Sequence, residues 1–117
     1  MAAAFARRMA GRDVMVLSGG TSPATRVTFV ILQAMKEVGI DISREVPRSI
    51  PVKELAECDH IVTIGCPPGV VCPVEFHGES QGWSLTDPKW KRLDEVRPIR
   101  DEIRNRVRTF LGEIGAL

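Results

Sequence analysis

From Asp94 to the C-terminus, Val96, Ile99, Ile103, Val107, Phe110 and Ile114 recur every three or four residues, the spacing of one apolar face of a long helix. Opposite charges four residues apart, Arg97 with Asp101 and Glu102 with Arg106, fit its solvent face. Pro98 has to lie in the first turn of that helix, because deeper in it would remove a hydrogen bond from the backbone ladder. A second helix is predicted from Ala24 or Thr25 to Val38, with Val27, Ile31, Met35 and Val38 on one face and Gly39 ending it. A third, rich in alanine, covers Met1–Ala10, with Phe5 and Met9 four apart and Gly11 as its C-cap. No capping residue precedes it.

Strand signals are shorter. Ile61–Val62–Thr63–Ile64 is apolar and β-branched, bounded by Asp59–His60 and Gly65, and predicts a buried strand. Val14–Leu17, closed by the turn-rich Ser18–Gly19–Gly20–Thr21–Ser22–Pro23, predicts another. Asp41–Pro51 is irregular, with Pro47 and Pro51 as breakers, and Val52–Glu57 is a short helical turn leading into the strand. Glu75–Gly82 is polar enough for a surface loop, Gly82–Leu85 fits a short last strand, and Thr86–Asp87–Pro88 is a turn. Strands alternating with helices imply βαβ units and a short parallel sheet. A regular alternation would place a further strand ahead of Met1, so the first strand is expected to be missing from these residues.

Length and composition narrow the class. At 117 residues the chain is one domain, 1–117, with an ordinary 44% hydrophobic and 26% charged content. A net charge of +1 gives no reason to expect nucleic acid as a partner. No apolar run approaches the ~18 residues of a membrane span, and no apolar segment follows Arg7 and Arg8 as it would in a signal peptide. The expected compartment is therefore the cytoplasm, where thiols stay reduced and a disulfide is catalytic or transient.

The candidate chemistry lies past the strand, where Cys66–Pro67–Pro68–Gly69–Val70–Val71–Cys72 forms a Pro/Gly-rich stretch with a thiol at each end. In open α/β sheets the carboxyl ends of strands are where chemistry sits. Two readings remain open for the pair: redox thiols, or two half-buried thiols beside a Pro-Pro-Gly turn. A metal site would have to add His60 or His77, and the spacing fits no standard zinc pattern. Asp87, held extended before Pro88, can present its carboxylate as a general acid or simply shape a turn. Cys58 reads as a small core residue, Ser18 and Thr21 as turn chemistry, His60 as structural, Trp83 and Trp90 as packing or as lining of the loop face, and Arg26 as an isolated basic group that could serve an anion.

Several segments together resemble the thiol-dependent arsenate reductases, which share the fold of the low-molecular-weight tyrosine phosphatases. They are Met1–Ala2–Ala3–Ala4–Phe5–Ala6–Arg7, Met35–Lys36–Glu37–Val38–Gly39–Ile40–Asp41–Ile42–Ser43, Ile61–Val62–Thr63–Ile64–Gly65–Cys66, Cys72–Pro73, Asp87–Pro88 and Glu95–Val96–Arg97–Pro98–Ile99–Arg100–Asp101–Glu102–Ile103. The resemblance covers nearly the whole chain. It implies a three-layer α/β domain with a short parallel sheet and helices on both faces. It also implies reduction of arsenate to arsenite, or phosphatase chemistry on a related oxyanion, with no tightly bound cofactor. The reductant would be thioredoxin, glutaredoxin or a low-molecular-weight thiol. By resemblance Cys66 and Cys72 are resolving thiols and Asp87 is the general acid.

One departure changes the expected activity. The family nucleophile sits on a Cys-x5-Arg loop before its first helix, where amides, the Arg and the helix N-terminus bind the oxyanion. Here Cys58 is followed six positions on by Ile64, Cys66 by Cys72 and Cys72 by Gly78. No oxyanion-binding loop is present in these residues, so the domain is expected to be N-terminally truncated and inactive as written. The alternative expectation is a non-catalytic binding or regulatory module that pairs an open sheet edge with a partner or with a second copy as a homodimer.

Overall fold

The long C-terminal helix forms as its apolar periodicity predicts. The computed structural model of the protein describes residues 1–19, 29–45, 48–64, 76–86 and 91–117. Its elements are α1 (Ala2–Met9), α2 (Phe29–Glu37), α3 (Val52–Ala56), β1 (His60–Ile64), β2 (Glu79–Trp83) and α4 (Leu93–Glu113). They belong to two compact units. One comprises Met1–Ser18, Ala24–Pro47 and Pro88–Leu117 and holds α1, α2 and α4. The other comprises Gly19–Pro23 and Arg48–Asp87 and holds α3, β1 and β2.

In the helical unit, α1 and α2 both pack on α4. Val96, Ile99, Ile103, Val107 and Leu111 of α4 are buried, as are Phe5 of α1, Ala34 and Met35 of α2, and Ile42. Leu111 takes the place expected for Phe110 and Ile114, which are only half-buried. Ile114 is the C-cap of α4, past its last helical residue.

Two helix ends are closed in the same way. Gly39 at φ 79° lets Ile40 N–H reach the Met35 carbonyl at 3.1 Å and Gly39 N–H the Lys36 carbonyl at 3.0 Å. Gly115 at φ 69° does so for α4, with Ala116 N–H on the Leu111 carbonyl at 2.8 Å and Gly115 N–H on that of Gly112 at 3.3 Å. Each is the paired 6→1 and 5→2 closure that a left-handed residue permits. Gly11 does not play this part. The C-cap of α1 is Ala10, in extended backbone, and Gly11 N–H donates to the Ala116 carbonyl at 2.7 Å.

Pro98 lies in the second turn of α4 rather than the first, because the helix starts at Leu93. The Asp94 carbonyl thereby loses its intrahelical donor, and both Asp94 and Pro98 are exposed, where solvent can reach it. The start is supported by Glu95, whose Oε1 accepts from Arg92 N–H at 3.3 Å and from Arg92 Nε at 3.2 Å. Asp94 and Glu95 also suit the positive end of the helix dipole.

Glu102 pairs with Arg106 at 3.3 Å as the four-residue spacing predicts. Arg97 does not pair with Asp101. It forms a two-pronged bond to Glu37 of α2, Nε to Oε1 at 3.0 Å and Nη2 to Oε2 at 2.7 Å. Arg100, a buried charge within the apolar stripe, donates from Nη1 to Glu37 Oε1 at 2.8 Å and to the Ala34 carbonyl at 2.9 Å, and from Nε to Asp101 at 3.0 Å. The Arg97 guanidinium, followed by that of Arg100, outweighs partial desolvation and lowers the Glu37 pKa to about 2. Burial works against the Arg100 charge, and Asp101 and Glu37 more than offset it.

Val14–Leu17 is not a strand. Val14 N–H turns back to the Gly11 carbonyl at 3.2 Å, the Val16 carbonyl faces Arg7 Nη2 at 3.5 Å, and Met15 is 84% exposed. An apolar run becomes a strand only where a neighbouring strand supplies its ladder, and among the described residues none does.

Candidate functional site

The site-bearing unit is organised by β1. His60–Ile64 is β-branched at four of its five positions and runs parallel to β2, with His60 opposite Glu79 and Ile64 opposite Trp83. Only one face of β1 is covered: Ile61 and Thr63 are buried, while Ile64 is 41% exposed. The expected buried strand is thus buried on one face. β2 begins earlier than Gly82, so Glu79–Gly82, expected as loop, is strand, exposed throughout; only Trp83 is buried, its indole N–H donating to Gln81 at 2.9 Å. Polar, exposed residues carry no periodic signal, and it is pairing with β1 that makes them a strand.

Parallel alignment places the carboxyl ends of β1 and β2 side by side at Ile64 and Trp83. The chain leaves Ile64 two positions before Cys66, and leaves Trp83 four positions before Asp87. Both candidate segments therefore depart from one edge of the sheet, the edge where α/β proteins gather their chemistry. Cys66, Cys72 and Asp87 themselves lie outside the described residues, as do Thr21, Arg26 and Trp90.

The amino edge is held by a close backbone approach. Glu79 N–H donates to the Asp59 carbonyl at 3.0 Å. Gly78 packs directly against that carbonyl: a Cβ there would overlap its oxygen and lie 2.8 Å from its carbon and from the Phe76 ring. No sequence period marks Gly78, and only the paired strands reveal why glycine stands there.

Among the described cysteines there is Cys58, just after α3. Its Sγ donates to the Glu54 carbonyl at 3.2 Å. Burial, then the carboxylates of Asp59, Glu54 and Glu57, push its pKa up, which keeps it a thiol. A nucleophilic cysteine needs the opposite environment. Cys58 is half-buried rather than core. Ser18 and His77 are exposed. His60 is half-buried, with Nδ1 3.9 Å from Glu79 Oε2. No group of three or more His, Cys, Asp or Glu able to hold a metal occurs among the described residues, and no described helix is long and apolar enough to cross a membrane.

A parallel α/β unit with a thiol-bearing segment at its carboxyl edge defines a class, and comparison with known proteins defines the family. No family model matches the chain. A protein of Halobacterium salinarum assigned to the arsenate reductases is 36% identical over 121 residues, spanning 97% of this chain and 82% of its own. The glutaredoxin arsenate reductase of a Synechocystis species is 32% identical over 117 residues, spanning 97% of this chain and 87% of its own. Among solved structures, an arsenate reductase in the reduced state superposes with a TM-score of 0.78 at 28% identity, over 96% of this chain and 86% of its own. A thioredoxin-dependent arsenate reductase of Corynebacterium glutamicum gives 0.77 at 28% identity, over 97% of this chain and 53% of its own. The chain belongs to the arsenate reductase family.

Proposed function

We propose that the chain serves thiol-dependent reduction of arsenate to arsenite, with Cys66 and Cys72 as the thiols that take up the oxidising equivalents and Asp87 as the general acid. The observation that supports this reading is the parallel register of β1 and β2, whose adjacent carboxyl ends lie two residues before Cys66 and four before Asp87. With the reading go the family's three-layer α/β fold and a cytoplasmic setting in which a thiol reductant is available. Thioredoxin- and glutaredoxin-dependent relatives support a dithiol protein as that reductant.

In the overall step one arsenic(V)–oxygen bond is lost, its oxygen leaves as water with the two thiol protons, and two thiols become a disulfide as arsenic gains two electrons. A protonating carboxyl helps the leaving oxygen. Cys58, kept protonated, is left out of this exchange. No cysteine here has the family's Cys-x5-Arg spacing, so the reading assigns Cys66 and Cys72 the resolving role and assigns no residue the first attack on arsenic.

The test is to oxidise the purified chain and follow its reduction by thioredoxin, coupled to thioredoxin reductase and NADPH. One equivalent of NADPH per chain is expected, falling to none in Cys66→Ser and in Cys72→Ser. Reduction that survives both substitutions, or a disulfide that maps to Cys58, overturns the assignment.

A further inference from the structure

We propose that the groove between α1 and the segment following α2 binds an α-amino acid with an apolar side chain, gripping both of its charged ends. The groove lies wholly within the helical unit. Its volume of about 310 Å³ stands at the lower end of the ~300–1,000 Å³ of small-molecule pockets. Ala4, Ile40 and Ile42 give it an apolar surface, and Arg7, Arg8, Asp41 and Glu45 give it charges of both signs.

Those charges are only partly spent. Arg7 is committed, with Nη1 on Glu45 Oε1 at 2.8 Å and Nη2 on the Val16 carbonyl at 3.5 Å. Arg8 donates from Nη1 to the Gly39 carbonyl at 2.7 Å, and its Nε and Nη2 have no acceptor among the described residues. Glu45 accepts at Oε1, and its Oε2 has no donor there. The hydroxyl and N–H of Ser43 hold the Asp41 carboxyl below the usual carboxylate range, so it is ionised at neutral pH. A ligand carboxylate therefore finds donors on Arg8, and a ligand ammonium finds acceptors on Glu45 and Asp41. A simple anion or a simple cation would satisfy one set and meet like charge in the other. An apolar side chain laid on Ala4, Ile40 and Ile42 leaves water as well. An α-amino acid carries all three groups on one carbon. Once bound it ties α1 to the segment after α2, and stabilises the unit by mass action.

The test is a backbone-amide NMR titration of the full chain with L-leucine, with thermal melts alongside. Shifts are expected at Arg8, Asp41, Ile42 and Glu45, and a melting temperature that rises with leucine concentration. Leucinamide lacks the carboxylate, isocaproate the ammonium and glycine the apolar side chain. Each should bind about tenfold more weakly or worse, having lost a charge-assisted bond or the apolar contact. Arg8→Gln should cost a similar factor, and Arg108→Gln, exposed on α4 and outside the groove, should cost nothing. Should Arg8→Gln fail to fold, the three analogues still decide the matter on the unaltered chain. No shift at the groove residues up to the solubility limit of leucine overturns the proposal. So does isocaproate or leucinamide binding as tightly as leucine, or shifts that fall only outside the groove.

Discussion

Glu37 carries more of the helical unit than any residue of its kind should. A carboxylate in the last turn of a helix faces the negative end of the dipole, yet here it receives both prongs of Arg97 and one of Arg100. Its pKa of about 2 against an ordinary 4.5 sets the sign of its pH dependence. The stabilisation is complete above about pH 4.5 and is lost as the pH falls toward 2. Glu37→Gln should lower the melting temperature at pH 7, with the gap to wild type closing across that window; a constant gap would show that charge is not what holds Arg97. At Cys58 the expected outcome is the reverse of reactivity. Iodoacetamide at pH 8 should label it more slowly than a free cysteine, as peptide mass mapping would show, and equal labelling would mean that its bond to Glu54 does not persist in solution. Glu37 did not stand out in the sequence, because its guanidinium partners reach across 60 or more positions that no local spacing records.

The elements show which local rules sufficed. Helix α4 was legible from its stripe, and Gly39 as the end of α2 from its position alone, because both depend on neighbours within a turn. The Gly11 cap and the Val14–Leu17 strand failed for one reason: each depends on a distant partner, which Ala116 supplies to Gly11 and nothing described supplies to Val14–Leu17. β2 was half-found, since its ladder comes from β1 and not from its own residues. Gly39→Ala and Gly115→Ala should each cost about 1–2 kcal/mol in urea unfolding, the cost of a side chain in left-handed backbone. Ile103→Ala, which empties a buried position on α4, should cost about 2–5 kcal/mol. If the glycine substitutions proved the more damaging, the caps rather than the apolar stripe would dominate α4.

At the scale of the molecule, the candidate residues were legible and the pairing of the strands that precede them was not. Cys66, Cys72 and Asp87 could be named from residue type and resemblance, but only the parallel register shows that the strands ending shortly before Cys66 and Asp87 have adjacent carboxyl ends. The chain's order of synthesis meets these two units very differently. Arg48–Asp87 is nearly continuous, so α3, β1 and β2 have their partners as soon as they leave the ribosome. Helices α1 and α2 are made early but pack on α4, which is made last. Until then Phe5, Ala34 and Met35 have no α4 to cover them, and the nascent chain holds apolar surface that chaperones recognise. The helix that closes the fold is also the one whose absence, in any prematurely ended chain, leaves the first half of the protein without a core.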